Sequence, residues 1–226
     1  MYNSIHVHTS KGSFMDSMIK IPDLIKMVKK NGMTHCGITD HGSMAGVIDF
    51  YDESVKNSVV PIIGCEFYAA GSSRKEITRG EIYHLVLLAK NRVGYNNLVK
   101  LSTISYLEGL YGGHGHIDDE VIASHKDGLI CMTACMGGKI PSAIRKGNMA
   151  LARDYAEFYL KVFGENFVFE IMDNGMDEQG VVNIGLQELS KKLGIPMIVT
   201  NDMHYLNKED EEAHRLLLRI KYNRKD

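Results

Sequence analysis

The sequence has few cysteines, and their spacing is that of neither a disulfide framework nor a zinc-binding pair. None of the four, Cys36, Cys65, Cys131 and Cys135, belongs to a CxxC pair, and several lie in apolar runs. Free cysteines of this kind are typical of proteins in a reducing compartment. We therefore expect a reduced protein of the cytoplasm.

Long apolar runs, a secretion leader and a large net charge are also missing. Crossing a bilayer takes about 20 consecutive apolar residues, and the chain has no such run and no basic-then-apolar start. The net charge of −2 creates no overall field toward nucleic acid or membrane. Bound metal ions could still supply positive charge locally. We therefore expect no membrane partner, while nucleic acid stays open.

What the chain does have is an alternation of strand-like and helix-like stretches, repeated about seven times. Its 226 residues, 44% of them hydrophobic, suffice for one sizeable core or two small ones. Apolar residues at helical spacing predict helices between most of the strands. We predict a glycine-rich loop at 110–115 and strands at 4–8, 35–40, 59–68, 83–89, 127–134, 167–172 and 195–200.

This alternation predicts an α/β fold with a parallel sheet and helices outside it. The sheet could open into a doubly wound fold or close into a barrel. No glycine-rich phosphate fingerprint follows the first strand, which disfavours a dinucleotide-binding fold. A barrel gathers the carboxyl ends of its strands on one rim. Polar residues that can bind metals lie at or near those ends, and this placement favours closure.

The pair His6 and His8 begins the set of polar residues. Residues two apart in a strand project to one face, so we expect both imidazoles on one side and Ile5 and Val7 on the other. Other candidates follow later strands: Asp16, Asp40, His41, Glu66, His84, Cys135, Asp202 and His204. Taken singly, His84 could be a buried core histidine, Cys135 a small buried apolar residue, and Asp40 a helix cap. A shared site accounts for all of these residues together, whereas the alternatives require a separate explanation for each residue.

The donor types indicate the chemistry of such a site. Nitrogen and oxygen donors with one thiol suit zinc, manganese or iron better than calcium or magnesium alone. The set is too large for one tetrahedral ion, so we expect two or three ions, some bridged by a carboxylate such as Glu66. Close-set divalent ions hydrolyse phosphoesters by neutralising the phosphoryl oxygens and activating water. For Asp40 we favour a role behind the ligands, orienting one of the histidines.

Several histidines and a basic run are left outside this site. His114 and His116 repeat the HxH spacing, but in a glycine-rich loop with no strand to hold them, so we interpret them as mobile surface residues. His35 opens a strand at the end away from the site, and His125 and His214 read as solvated. The C-terminal basic run could touch a phosphate backbone or be an exposed helix end: Arg215, Arg219, Lys221, Arg224 and Lys225.

Longer motifs resemble one known family over about residues 3–220. They are the HxH start, ITDHG at 38–42, PIIGCEFY at 61–68, YHLVLLAKN at 83–91, GLICMTAC at 128–135 and GIPMIVTNDMHYL at 194–206. These resemble the polymerase and histidinol phosphatase (PHP) domain, in the version at the N-terminus of bacterial DNA polymerase III alpha subunits. We therefore expect residues 1–226 to be a single PHP domain without the polymerase palm, fingers and thumb. Such a chain could not copy DNA alone, and would be an excised domain or a stand-alone relative, for example phage-borne.

The resemblance also implies a fold, a metal cluster and an activity. The fold is a distorted seven-stranded (βα)7 barrel of the TIM type with three divalent metal ions. By position the ligands would be His6, His8, Asp16, His41, Glu66, His84, Cys135, Asp202 and His204. Asp40, Glu66 and His204 would serve catalysis, with Glu66 bridging ions.

The implied activity is that of a metal-dependent phosphoesterase, a 3′–5′ exonuclease acting on DNA ends, with the rest of the polymerase or replisome subunits as partners. A second possibility is a non-catalytic, metal-stabilised module that docks a proofreading subunit. A third is a small-molecule phosphatase similar to histidinol phosphatase. The long motifs disfavour the third, because they follow the replicase version of the domain.

Overall fold

The computed structural model describes residues 2–223, in which strands and helices alternate over most of the chain, as the sequence predicts. The strands are β1 (His35–Ile38), β2 (Val60–Ala70), β3 (Ile82–Ala89), β4 (Leu110–Tyr111), β5 (His114–Ile117), β6 (Leu129–Met132), β7 (Phe167–Ile171) and β8 (Met197–Val199). The helices are α1 (Ile21–Lys30), α2 (Val47–Lys56), α3 (Arg92–Glu108), α4 (Asp119–Ser124), α5 (Lys139–Arg145), α6 (Met149–Phe163), α7 (Asp177–Leu193) and α8 (Glu211–Tyr222). Arg224 and Lys225 of the basic run lie outside the described residues.

The strands form one mixed sheet that curves into a distorted barrel. Around the barrel the order is β1, β2, β3, β6, β7, β8, and β5 pairs with the far end of β2. The extended segment 4–8 fills the gap between β8 and β1: Ser4 bridges to Cys36 on β1, and Val7 bridges to Met203 after β8. These bridges are isolated, so the sheet does not close as a continuous ladder. Seven extended segments nevertheless surround the interior.

The segment 4–8 differs from the predicted regular strand. Its backbone hydrogen bonds alternate between two neighbours: Gly37 donates to Ser4 O at 2.7 Å, and His8 donates to Met203 O at 2.9 Å. Ile5 packs in the interior cluster, whereas Val7 packs against α1 and α2. Simple two-residue alternation therefore does not describe its apolar side chains, although both imidazoles reach the same site.

The prediction of a parallel sheet is wrong for β3. This strand runs antiparallel to both β2 and β6, while the β1–β2, β6–β7 and β7–β8 pairs are parallel. An apolar strand covered on both faces shows the same pattern in either direction, so its composition could not reveal the reversal. The reversal places the start of β3, rather than its end, at the rim where β2 and β6 finish.

Alternate side chains of the strands build two separate cores. The interior cluster consists mainly of residues on extended segments, including Val86 and Leu88 of β3 and Met132 of β6. The neighbouring residues Leu85 and Leu87 belong to the larger cluster between the sheet and the helices. The side chains that point into the barrel are apolar at one end and polar at the other. The polar end is the rim at which the candidate ligands lie.

The predicted glycine-rich loop at 110–115 is instead part of the hairpin β4–β5. Its residue His116 pairs with Tyr68 of β2, is buried, and its Nδ1 lies 3.0 Å from Gly109 O. The interpretation of His116 as a mobile surface residue is therefore wrong, while His114 is exposed.

Within residues 2–223, no helix is both long and apolar enough to cross a membrane.

Candidate metal centre

Glu66 lies at the middle of the polar rim, completely buried, and four imidazoles face its carboxylate. Its Oε1 lies 3.5 Å from His6 Nε2 and 3.2 Å from His84 Nδ1. Its Oε2 lies 3.2 Å from His8 Nε2 and 3.0 Å from His41 Nδ1. Each carboxylate oxygen thus has two imidazole nitrogens beside it, an arrangement suited to bridging two cations.

Asp202 and His204 complete the rim from the segment after β8. Asp202 Oδ1 lies 3.3 Å from His6 Nε2 and 3.0 Å from His8 Nε2. The ring of His8 stacks on that of His204 with centroids 4.3 Å apart and on that of His41 with centroids 4.2 Å apart. The chain therefore brings residues separated by almost two hundred positions onto one small volume.

Strand register explains why Glu66 and His84 meet. Glu66 pairs with Val86 and Tyr68 pairs with His84 across the β2–β3 ladder. Side chains two apart share a face, so His84 stands above the inward-facing Val86. The backbone of His84 also donates to Gly137 O at 3.0 Å, which holds the loop after Cys135 against the same strand.

Hydrogen bonds on the far ring nitrogens orient His6 and His8. His6 Nδ1 donates to Glu170 Oε1 at 2.9 Å, and Thr200 Oγ1 donates to the same oxygen at 2.9 Å. His8 Nδ1 lies 3.1 Å from Ser13 Oγ. A proton on Nδ1 leaves the lone pair of Nε2 pointing into the rim, as in metal-binding histidines backed by a carboxylate.

Asp40 lies behind the candidate ligands and contacts the loop that follows His8. Its carboxylate accepts hydrogen bonds from Thr9 N at 2.5 Å, Thr9 Oγ1 at 2.8 Å and Ser13 Oγ at 2.8 Å. Because the Ser13 hydroxyl donates to Asp40, its oxygen is available to accept from His8 Nδ1 and from the backbone N–H of His41 at 3.0 Å. Asp40 therefore reaches the histidines through Ser13.

Asp16 and Cys135 lie at the edge of the cluster. Asp16 Oδ2 is 3.0 Å from His41 Nε2. Cys135 Sγ is 3.6 Å from His84 Nδ1 and 3.9 Å from Glu66 Oε1. The other seven predicted ligands fall into three compact groups: His8, His41 and His204; His6, His8, Glu66 and Asp202; and His41, Glu66 and His84.

The backbone around these residues is held in uncommon conformations. Five non-glycine residues of the described part have φ in the left-handed region. One of them is Asp202 itself, at +46°, and two others, Met15 and Ala134, directly precede Asp16 and Cys135. Such conformations cost energy and concentrate at functional sites. Here they turn three candidate ligands toward the rim.

Electrostatics within the rim couple the acids to the imidazoles. Burial alone would lower the pKa of His41, but the carboxylates of Glu66 and Asp16 outweigh it and raise the pKa to about 10. Burial would raise the pKa of Glu66, yet the surrounding imidazoles hold it well below its usual value. Burial, with the charge of His8, lowers the pKa of His204 to about 4. At pH 7 Glu66 is thus ionised and His204 neutral, as metal ligands must be, whereas His41 holds a proton that a metal ion would displace.

The buried donor atoms fit divalent cations. Within residues 2–223, five buried ligand atoms at the rim have no hydrogen-bond partner: His6 Nε2, His8 Nε2, His41 Nδ1, Glu66 Oε2 and Asp202 Oδ1. One donor atom of each residue lies within 4.8 Å of the others in the group of His6, His8, Glu66 and Asp202, and likewise in the group of His41, Glu66 and His84. Orphaned buried polar atoms are costly unless something binds them. A donor set of imidazoles and carboxylates suits divalent metal ions.

Comparison with known families agrees with this geometry. A family model described as "PHP domain" matches residues 4–174, about three quarters of the chain. The chain belongs to the PHP family. This PHP domain is also 42% identical over 220 residues to the DNA polymerase III subunit alpha of Borreliella burgdorferi and 40% identical over 223 residues to that of Thermus aquaticus. Each alignment covers 96% of this chain but only 19% and 18% of those relatives, so the chain spans about a fifth of their length.

Solved structures show the same fold at low sequence identity. A Bifidobacterium adolescentis protein, described as a candidate metal-dependent phosphoesterase, matches with a TM-score of 0.58 at 14% identity. That match covers 91% of this PHP domain and 88% of the other chain. An amidohydrolase from Chromobacterium violaceum, solved with sulfate and no metal, matches with a TM-score of 0.59 at 11% identity. It covers 92% of this chain and 89% of that one, and both support the distorted barrel.

Sequence reasoning missed Glu170, which lies behind the rim, and named Lys221 only as part of the C-terminal basic run, without connecting it to Asp16. Glu170 is buried in β7 and holds His6, but within the apolar run FVFEI it reads as an ordinary strand residue. An acidic residue inside a buried strand was the available signal, because such a charge needs a partner. Lys221 of α8 lies 3.0 Å from Asp16 Oδ2, and no sequence pattern connects these residues. His214, expected to be solvated, is half-buried and its Nε2 donates to Asp16 O at 2.7 Å.

Proposed function

We propose that this PHP domain is a metal-dependent phosphoesterase that removes nucleotides from the 3′ end of DNA. One observation carries the proposal: buried donor atoms of His6, His8, His41, Glu66 and Asp202 lie close together without hydrogen-bond partners in the described chain. Several metal-binding residues in one rim are what phosphoester hydrolysis uses. The likeness to polymerase subunits supports DNA as the substrate, and other polymerase domains or replisome subunits as partners.

We assign three ions to the rim, of zinc, manganese or iron, with magnesium as the remaining option. Their ligands in this proposal are His6, His8, Asp16, His41, Glu66, His84, Cys135, Asp202 and His204. Burial, together with the charges of Asp202 and Glu66, raises the pKa of the Cys135 thiol. A bound cation would reverse that shift by stabilising the thiolate.

The residues of the chain then have separate tasks. Divalent ions, when bound, would neutralise phosphoryl oxygens and lower the pKa of a water molecule. Glu66 bridges between imidazole pairs with its two oxygens, and Asp40 keeps the loop of His8 in place through Ser13. His204 Nδ1 lies 2.9 Å from the Asp202 carbonyl oxygen, so its Nε2 can present a lone pair toward the open side.

Solvent can reach this rim from one side. The side chains of His6, His8 and Glu66 are fully buried. Those of Asp202 and His84 are exposed by 21% and 26%. A phosphoester could therefore approach from the side of Asp202 and His84, while the opposite side stays dry and keeps electrostatic interactions strong.

The test uses the chain with Mn²⁺ and a 5′-labelled primer–template. We expect metal-dependent shortening that an Asp202→Ala, His204→Ala double variant loses by at least about 100-fold, because two ligands are gone. A double variant with the same residue types, His125→Ala and Asp127→Ala, should retain full activity, since their side chains contact Val121, Ser124 and Lys126 and not the rim. Equal shortening by all three proteins would identify a contaminating nuclease.

A second candidate is a metal-stabilised structural module that docks a proofreading subunit. The full burial of Glu66 and the 3.3 Å distance between His6 Nε2 and Asp202 Oδ1 favour this candidate. Ions bound there would hold together segments that are distant in the sequence. It predicts a lower melting temperature for the Asp202→Ala, His204→Ala variant with no DNA shortening by any protein. Turnover of histidinol phosphate without DNA shortening would instead indicate the small-molecule phosphatase.

A further inference from the structure

The last turn of α8 places a lysine beside the open side of the rim. Lys221 Nζ lies 3.0 Å from Asp16 Oδ2, and His41 Nε2 lies 3.0 Å from the same oxygen. The helix is held there a second time, because His214 Nε2 donates to the backbone oxygen of Asp16 at 2.7 Å. Asp16 therefore lies between the ammonium of Lys221 and the imidazole of the predicted ligand His41, and its Oδ2 contacts both groups.

The surroundings of Lys221 lie on the side from which solvent reaches the rim. The side chain of Lys221 is 20% exposed, and that of Asp16 is 13% exposed. Across the opening, the ring of Tyr68 stacks on His41 at 5.7 Å and contacts His114 at 4.9 Å. Burial lowers the pKa of His114, and the charge of Lys221 lowers it further, which agrees with Lys221 and His114 facing one opening.

We propose that Lys221 binds a non-bridging oxygen of the substrate phosphate, an inference that rests on the proposed phosphoesterase function. An ammonium group has three N–H donors, so contact with Asp16 Oδ2 leaves others for an anion. Lysine binds phosphate as a point charge on a flexible stem and can follow a small displacement of Asp16. The substrate class is therefore a phosphate ester whose anionic oxygens face α8 while its reacting phosphorus faces Glu66 and Asp202.

The alternative is that Lys221 only pins α8 to Asp16. The two roles differ in what they predict for anion binding. If Lys221 binds phosphate, it contributes to the affinity for inorganic phosphate itself. If Lys221 only holds α8 in place, its loss affects only the position of the helix or the metal content. Binding of phosphate also separates this inference from hydrolysis, because it needs no chemical step.

Isothermal titration of inorganic phosphate into the Mn²⁺-loaded chain tests the inference. Lys221→Gln is compared with Lys208→Gln, which removes the same charge from an exposed position just before α8. We expect Lys221→Gln to weaken phosphate binding about 10-fold with manganese content unchanged. Lys221→Arg should stay within about 3-fold of the parent chain, and Lys208→Gln should bind phosphate as the parent does.

Three results would overturn the inference: no phosphate binding by the parent chain, equal binding by Lys221→Gln, or a loss of manganese from Lys221→Gln. The DNA-shortening assay is read separately on the same proteins. If the parent chain binds phosphate through Lys221 but shortens no DNA, the exonuclease proposal fails while Lys221 remains a phosphate ligand. If the parent chain does shorten DNA, Lys221→Gln should lower kcat/KM by about 10-fold as well.

Discussion

At the scale of single residues, the chemistry of this PHP domain depends on which ring nitrogen of each histidine carries a proton. His6 is the clearest case, because Glu170 accepts from its Nδ1 and Thr200 donates to the same carboxylate oxygen. Glu170 is buried and its second oxygen, Oε2, has no partner among the described residues. Through its Oε1 the carboxylate therefore fixes the ring of His6.

We predict that Glu170→Gln weakens metal binding by about 10-fold to 100-fold, because removing the partner of a ligating histidine has effects of that size. The amide can present its N–H to His6 Nδ1 and so favour the wrong tautomer. Competition titration with a Mn²⁺ indicator dye measures the affinity. Glu165→Gln, an exposed change shortly before the same strand, should leave it unaltered. Unchanged affinity in Glu170→Gln would show that His6 needs no carboxylate to orient it.

Another residue-scale prediction concerns Asp118, away from the rim. Its carboxylate accepts from Arg74 N at 2.9 Å, Arg74 Nη1 at 3.0 Å and Val121 N at 3.2 Å. Burial alone would raise the pKa of Asp118, but these hydrogen bonds outweigh it and lower the pKa. A lowered pKa means that the ionised form stabilises the fold at neutral pH. That stabilisation is lost as pH falls below about 3.9 toward the folded-state pKa.

Asp118→Asn should therefore lower the free energy of unfolding by about 2 kcal/mol at pH 7, because a buried charge-assisted network is broken. The loss should shrink when urea unfolding is repeated near pH 3. Glu120 also pairs with Arg74, at 3.0 Å, but its side chain is 81% exposed. Glu120→Gln should accordingly change stability by less than about 0.5 kcal/mol at either pH. A pH-independent cost for Asp118→Asn would rule out ionisation as its cause.

At the scale of elements, most helices and strands could be predicted from sequence, and the failures have physical reasons. Helix α6 is an example of success: Asn148 accepts from Leu151 N and Gly164 ends the helix, as the pattern indicates. The direction of β3 could not be predicted, since apolar composition does not distinguish the two orientations. The hairpin β4–β5 was missed because its glycines suggest a loop, and because its pairing with β2 is a tertiary contact.

The placement of segment 4–8 against β1 leads to an element-scale prediction for Gly37. A Cβ at this position would clash with the carbonyl oxygen of Ile5, a backbone atom that cannot rotate away. Gly37→Ala should therefore displace the segment that carries His6 and His8. We expect a loss of about 2 kcal/mol in stability, as for other overpacked sites, together with weaker Mn²⁺ binding.

The control for Gly37 is Gly180 in α7, where an added Cβ meets nothing within 4 Å. Gly180→Ala should raise stability by about 0.5–1 kcal/mol, because alanine is the better helix former. Urea unfolding and metal titration of both variants provide the measurements. If Gly37→Ala binds Mn²⁺ as the parent chain does, the close approach of β1 to Ile5 does not position the histidines.

At the scale of the whole molecule, the fold brings the two ends of the described chain together at the rim. His8 donates to Met203 O at 2.9 Å, and Met203 donates to His6 O at 3.1 Å. Within residues 2–223, these two bonds make up the backbone pairing between segment 4–8 and the segment after β8. The ends carry His6, His8 and Asp202, whose donor atoms converge. That convergence could be expected from the placement of donors at strand ends, whereas the irregular closure could not.

Cations bound at this rim would therefore hold segment 4–8 against the segment after β8. Removing them should loosen the barrel at this junction first. With metal at about 100 times its dissociation constant, binding at one site contributes about 2.7 kcal/mol. For a chain of this size, the loss of each such ion on adding EDTA corresponds to a fall of about 5–10 °C in melting temperature. Amide hydrogen exchange should show the loss of protection concentrated at His8 and Met203, with the amides of α6 little changed. The Asp202→Ala, His204→Ala variant should melt at one temperature with or without EDTA. A uniform loss of amide protection across the chain would contradict a local effect of the ions at this junction, because the ions would then stabilise the fold only as a whole.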